Sequence, residues 1–237
     1  MKKIIFKSLI ILVLFISLFI VYFSTLGVET KRFNNQISKI IKNLNDDLII
    51  ELNQVKLLLD PFNLKISLKT VGSKFKIEES FVETEIIETN ISIKSIINSN
   101  FSLTNLNIST KSLEIKNLIS FVRKFKNTPE LYFLDKILKG GYLISNINLE
   151  FDKQGKVKDN YEINGFIKDA KIQSFKDYKL DKINLIFDLK PNLLLLKDTN
   201  LSINNIIFQS EKIIVKNLNN NFLIEGSITN KETLLED

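Results

Sequence analysis

Apolar and polar residues alternate along most of the chain beyond Leu48. In the segment FNLKISLK, Ile66 and Leu68 would face one way, while Lys65 and Ser67 would face the other. Strict alternation is typical of strands with one dry and one wet face, and it predicts an antiparallel sheet of roughly 13–15 strands. The first strand is predicted from Leu48, with a bulge before Val55.

A helical spacing interrupts this alternation over residues 117–139. Leu118, Val122 and Phe125 recur on one side of a helix, and a second helix is predicted after Pro129. Gly140 and Gly141 are predicted to cap its carboxyl end. We expect this insertion to cover one end or one edge of the sheet.

The amino-terminal segment carries a long uncharged run from Ser8 to Val28. As a helix it would be about 30 Å long, enough to cross the hydrocarbon core of a bilayer. A cleaved signal peptide is the alternative, but its apolar region is usually shorter and ends at small residues. We therefore predict an anchor over residues 1–28, marked by Ser8, Leu12, Phe15, Phe19, Tyr22 and Val28. Lys2, Lys3 and Lys7 would hold the amino terminus in the cytoplasm.

Residues 29–47 are predicted to form an amphipathic helix. Phe33, Ile37 and Leu44 are among the apolar residues at helical spacing, and Asn45, followed by two aspartates, ends the pattern. The helix could cap an open end of the sheet, or it could lie at the membrane surface as a collar. Residues 48–237 would then form one β-domain with the helical insertion.

The composition excludes several kinds of chemistry. The chain has no His and no Cys, so a Ser-His-Asp triad, a thiolate nucleophile, a disulfide and a His- or Cys-ligated metal are ruled out. The formal net charge of +6 includes three lysines placed before the apolar run, and the other charges are mixed in sign. A nucleic-acid partner would require a basic stripe. We therefore expect no enzyme activity, no cofactor, no metal and no nucleic-acid partner.

The apolar face of the predicted sheet is the most informative feature for function. It could close against a second sheet as a sandwich core, or it could stay open as a groove for acyl chains. Candidate groove residues are Phe62, Leu64, Ile66, Leu68, Ile91, Ile93, Phe101, Leu103, Ile183, Leu185, Phe187 and Leu189.

The order of these segments resembles that of the AsmA-like proteins of Gram-negative envelopes. LDPFNLKISLK (59–69), after an anchor and a short helix, is similar to the start of that family, and ISIKSIINSNFSLTNLNIS (91–109) is similar to its paired strands. The resemblance implies an elongated, curved antiparallel sheet rolled around an apolar groove, with no catalytic residue and no cofactor. It also implies a single-pass inner-membrane protein whose body lies in the periplasm.

The sequence thus favours a membrane-anchored β-groove protein. Its partners would be the inner membrane, phospholipid acyl chains and other envelope proteins, and its role would be lipid transport or outer-membrane biogenesis. The alternative is a membrane-tethered β-sandwich that serves envelope or outer-membrane protein assembly without binding lipid.

Overall fold

The body is a single open antiparallel sheet of fifteen strands. The computed structural model describes residues 2–31, 34–35, 37–38, 42, 46–93, 103–125, 127–152, 156–173, 178–218 and 221–230. The order of the main path is β1-β3-β4-β6-β7-β9-β10-β11-β12-β13-β14, and β2, β5, β8 and β15 pair beside it. Every strand pair is antiparallel, so the predicted mainly-β fold is confirmed.

Strand lengths range from two residues to thirteen, and most of the long strands follow the helical insertion. Up to the insertion they are β1 Val28–Thr30, β2 Leu48–Glu51, β3 Val55–Asp60, β4 Lys65–Val71, β5 Lys74–Ile77, β6 Ser80–Ser92, β7 Leu103–Thr110 and β8 Leu113–Glu114. After it they are β9 Leu138–Glu150, β10 Glu162–Gln173, β11 Lys179–Lys190, β12 Leu193–Ile203, β13 Ile206–Leu218, β14 Asn221–Gly226 and β15 Thr229–Asn230.

Three helices are described, namely α1 (Lys2–Thr25), α2 (Ile115–Phe125) and α3 (Pro129–Ile137). Helices α2 and α3 confirm the predicted insertion. The Thr128 hydroxyl caps α3 by accepting a hydrogen bond from the Leu131 amide at 3.4 Å, and Pro129 opens the helix. The apolar stretch Ile4–Thr25 has a mean hydropathy of 3.0 and is exposed along most of its length, so α1 has the length and composition of a membrane span or a signal sequence.

Helix α1 passes into the sheet through a single glycine turn. The Leu26 and Gly27 amides both donate to the Tyr22 carbonyl, and Gly27 has φ +67°, the left-handed conformation that glycine supplies at helix ends. A Cβ on Gly27 would lie 2.4 Å from the Leu57 carbonyl oxygen. The edge strand β1 therefore begins directly after the helix, without a linker.

Four predicted boundaries differ from the structure. Residues 48–60 form two strands, β2 and β3, rather than one bulged strand, and β2 pairs with β5 while β3 pairs with β4. Gly140 and Gly141 lie inside β9 instead of capping a helix. Val28, placed in the anchor, begins β1, which continues into the predicted helix 29–47. Ile37 of that helix is described, whereas Phe33 and Leu44 lie outside the described residues.

The strand register aligns one residue from each of the eleven main strands, and nine of the eleven are apolar. We call this set the central row. Consecutive members are cross-strand partners, and two threonines are its only polar members. At about 4.8 Å per strand it extends roughly 48 Å from the first edge of the sheet to the last. The central row is Thr30, Val55, Thr70, Ile87, Ile108, Ile147, Ile163, Leu189, Leu194, Val215 and Ile224.

A line of bulges crosses three neighbouring strands below the central row. Asp169, Lys182 and Asp198 have φ of +52°, +52° and +49°, and the strand register shifts beside them. The Asn184 side chain links two of these bulges, because its oxygen accepts from the Asp169 amide at 3.0 Å and its nitrogen donates to the Lys182 carbonyl at 2.8 Å. Bulges bend and twist strands locally, and these bulges lie beside Ala170 and Ile183, where α2 packs.

Candidate functional site

The two faces of the sheet differ in chemistry along the central row. The face that carries the central row, which we call the apolar face, lies opposite a face with many charged and amide side chains, which we call the polar face. The polar-face residues next to the central row are Glu29, Lys56, Lys69, Glu88, Asn107, Asn148 and Glu162. Lys190 continues this series by pairing with Glu162 at 3.0 Å. On β12 and β13, Leu193, Leu195 and Ile214 add apolar side chains to the polar face.

The apolar face is shielded from solvent along most of the central row. From Val55 to Val215 the central row is buried or half-buried, although the sheet is single. On the polar face, Phe166 and Ile186 are 40% and 42% exposed, whereas Leu195 and Ile214 are half-buried. We refer to the apolar face from Val55 to Val215 as the trough.

Covering elements lie over two parts of the trough. Ile37 packs against Val55, Leu68 and Ile91 near the first edge. Helix α2 places Ile115 and Ile119 against Leu138, Ala170 and Ile183 below the bulges. The other face of α2 places Phe121 against a third cluster with Leu48, Ile77 and Val82. The helix therefore fills the corner between the long sheet and the β2–β5 extension.

The middle of the trough contrasts with these covered parts. Among the described residues, no member of the central row from Ile108 to Val215 belongs to a buried cluster. Each of these residues stays half-buried. The open part of the apolar face is Ile108, Ile147, Ile163, Leu189, Leu194 and Val215.

Seven of the predicted groove residues lie on the apolar face. Ile66, Leu68 and Ile91 belong to the cluster beneath Ile37, and Ile183 and Leu185 pack at α2. Phe187 and Leu189 line the open part, opposite Leu196 and Leu194. Leu103 pairs with Ile91 at the start of β7, Ile93 follows β6 and donates its amide to the Leu64 carbonyl, and Phe101 lies outside the described residues.

Phe62 and Leu64 lie apart from the predicted groove residues that the sheet brings together. Both lie in the turn between β3 and β4, where Phe62 is 96% and Leu64 60% exposed. The Asn63 amide and side chain both donate to the Asp60 carboxylate, at 3.1 and 2.7 Å. This local turn delays the start of β4 to Lys65, so the alternation, which begins at Phe62, starts three positions before the strand does.

Nine ion pairs join charged side chains of the described residues. Within the described ranges, no group of three or more His, Cys, Asp or Glu side chains could hold a metal ion. Glu83 has the largest pKa shift, because hydrogen bonds from Lys111 and then Lys74, at 2.8 and 2.7 Å, lower the pKa of its carboxyl to about 2. The Lys179 ammonium lowers the pKa of Asp181 in the same way. A neighbouring ammonium group thus explains both shifts, across strands from Lys74 to Glu83 and within β11 from Lys179 to Asp181.

The Glu83 pairs predict a specific pH dependence of stability. The pKa is depressed in the folded protein, so the stabilisation is complete above the ordinary value of 4.5 and is lost as pH falls toward about 2. We expect the melting temperature of the wild type to exceed that of Glu83→Gln at pH 6 and the two to converge near pH 2. Thermal melts at both pH values check this, and a constant difference would contradict it.

Nothing matches the chain among protein-family models, curated proteins or solved structures. The candidate site therefore rests on the geometry of this chain alone.

Sequence reasoning missed β1, because Val28–Thr30 is too short for its alternation to stand out, and it missed the bulges, which carry no glycine.

Proposed function

We propose that this protein holds lipid acyl chains in the trough of its apolar face and supports lipid transfer away from the membrane in which α1 is anchored. The central row carries the proposal, since it begins at β1, directly after α1, and continues across eleven strands to the edge strand β14. The sandwich of the alternative requires two facing sheets, whereas this sheet is single and open.

The chemistry of the trough suits an acyl chain. Burying a methylene contributes about 0.8 kcal/mol, and the row from Val55 to Val215 offers branched aliphatic side chains at nearly every strand. The small residues Ser145 and Gly165, cross-strand partners on the same face, lower the floor of the trough beside the row. A chain lying across the strands would contact protein on one side while its head group stayed in water.

Charges near the first edge fit a membrane surface. Lys31, Lys56 and Lys69 line a cleft of about 740 Å³ together with Glu29, only a few residues beyond the end of α1. Lysines beside a membrane attract anionic head groups. With Lys2, Lys3 and Lys7 in the cytoplasm, the body would lie in the periplasm, as in the AsmA-like envelope proteins that the sequence resembles.

Lipid analysis of the purified full chain tests the proposal. The protein would be extracted in a mild detergent, separated from free lipid by gel filtration and analysed by mass spectrometry. We expect about one or more phospholipids per chain, exchangeable with added labelled phospholipid. A shortened chain that keeps α1 and lacks the sheet serves as the control for lipid held by the helix alone. Lipid at the level of this control would contradict the proposal.

A further inference from the structure

The edge strand β14 is open to pairing with another strand. All six of its residues are exposed, with Phe222 at 72% and Ile224 at 67%. Among the described residues, no strand pairs with its outer side. Exposed edges are usually protected by lysine, proline or a short length. The single charged residue of β14, Glu225, is already paired with Lys216 at 3.1 Å.

We propose that β14 pairs in antiparallel fashion with β14 of a second copy of this chain, around a two-fold axis at Leu223. In this register Phe222 lies opposite Ile224 of the second copy, and Asn221 lies opposite its Glu225. Leu223 meets its own equivalent on the other face. Aromatic and branched aliphatic residues are favourable cross-strand partners, and no like charges stand opposite each other.

Neighbouring registers are less favourable. A two-fold axis at Ile224 would place Leu223 opposite Glu225 and Phe222 opposite Gly226. If the pairing shifted by one residue, the apolar-face residues of one copy would lie opposite the polar-face residues of the other. Only the register centred on Leu223 matches apolar with apolar residues on both faces.

The dimer would join two central rows end to end. Each copy contributes eleven strands, so one apolar row would cross twenty-two strands. The pairing concerns the free edge of the sheet and does not depend on bound lipid. A six-residue strand pair is a small interface, so we expect association at micromolar concentrations.

Cysteine crosslinking of the full chain in detergent tests the register, because the natural sequence has no Cys. Under mild oxidation we expect Leu223→Cys to form a disulfide dimer. A mixture of Phe222→Cys and Ile224→Cys should crosslink more than either variant alone. Asn205→Cys, in the exposed turn between β12 and β13, serves as the control. Crosslinking of Leu223→Cys no higher than that of this control would overturn the proposal.

The association itself is measured by sedimentation. We expect the wild type to dimerise at tens of micromolar and Leu223→Lys, which sets like charges opposite each other, to raise the dissociation constant at least roughly tenfold. Its lipid content and melting temperature should stay near those of the wild type. A wild type that remains monomeric would refute the dimer, whereas lipid-free but dimeric protein would refute only the proposed function.

Discussion

Replacement of Leu194 by lysine is expected to lower the phospholipid retained by the purified protein roughly tenfold. Leu194 lies in the open part of the central row, between Leu189 and Val215. An ammonium group there prevents about two methylenes of the acyl chain from being buried against the protein. This loss weakens binding by about 1.6 kcal/mol, which corresponds to a roughly tenfold lower affinity for phospholipid. Mass spectrometry of lipid bound to the full chain measures the change.

The neighbouring residue provides a matched control. Leu195 is half-buried like Leu194 but lies on the polar face, opposite Asp188 and Ile214. Leu195→Lys introduces the same charge beside a carboxylate and outside the trough, so we expect lipid binding to stay within about twofold of the wild type. Equal losses in the two variants would show that lipid binding does not depend on the face of the sheet.

The second large effect is expected at Gly141, where alanine should lower the free energy of unfolding by about 2–4 kcal/mol. Gly141 has φ +122°, a conformation that residues with a Cβ rarely adopt, and an added Cβ would lie 2.5 Å from the Ala170 Cα. The close approach of β9 to β10 at this point depends on the missing side chain. Urea unfolding of the full chain, followed by far-UV circular dichroism, measures the loss.

The adjacent glycine separates this effect from general strand propensity. An added Cβ at Gly140 would meet nothing within 4 Å, and its φ lies outside the positive range. Gly140→Ala should therefore leave stability unchanged or raise it by about 0.4–1 kcal/mol, because alanine restricts the unfolded chain. Similar destabilisation of both variants would contradict the close contact between Gly141 and Ala170.

The period-two pattern was sufficient to predict the fold class and much of the apolar face. Ile66, Leu68 and Phe187 lie where alternation places them, because a strand has only two faces and one of them is apolar. The helical insertion was also predictable, since Thr128 and Pro129 mark the start of a helix by local chemistry.

Features that depend on tertiary structure could not be read from the pattern. The Asp60–Asn63 turn places Phe62 outside the sheet, although Phe62 fits the same apolar alternation as Ile66 and Leu68. The glycine pair at Gly140 and Gly141 looks like a helix cap in sequence, whereas its real role is set by the approach of Ala170 from another strand. Cross-strand register, which assembles the central row, arises only when all the strands pair.

Photo-crosslinking along the two faces tests the central claim most directly. A photoreactive amino acid would be placed at Ile108, Ile163 or Leu194 in the central row, and at Asn107, Asn164 or Leu195 on the polar face. The account predicts phospholipid adducts, attached through the acyl chain, at the three row positions and only background at the other three. Equal labelling of both faces, or no adduct in the row, would contradict it.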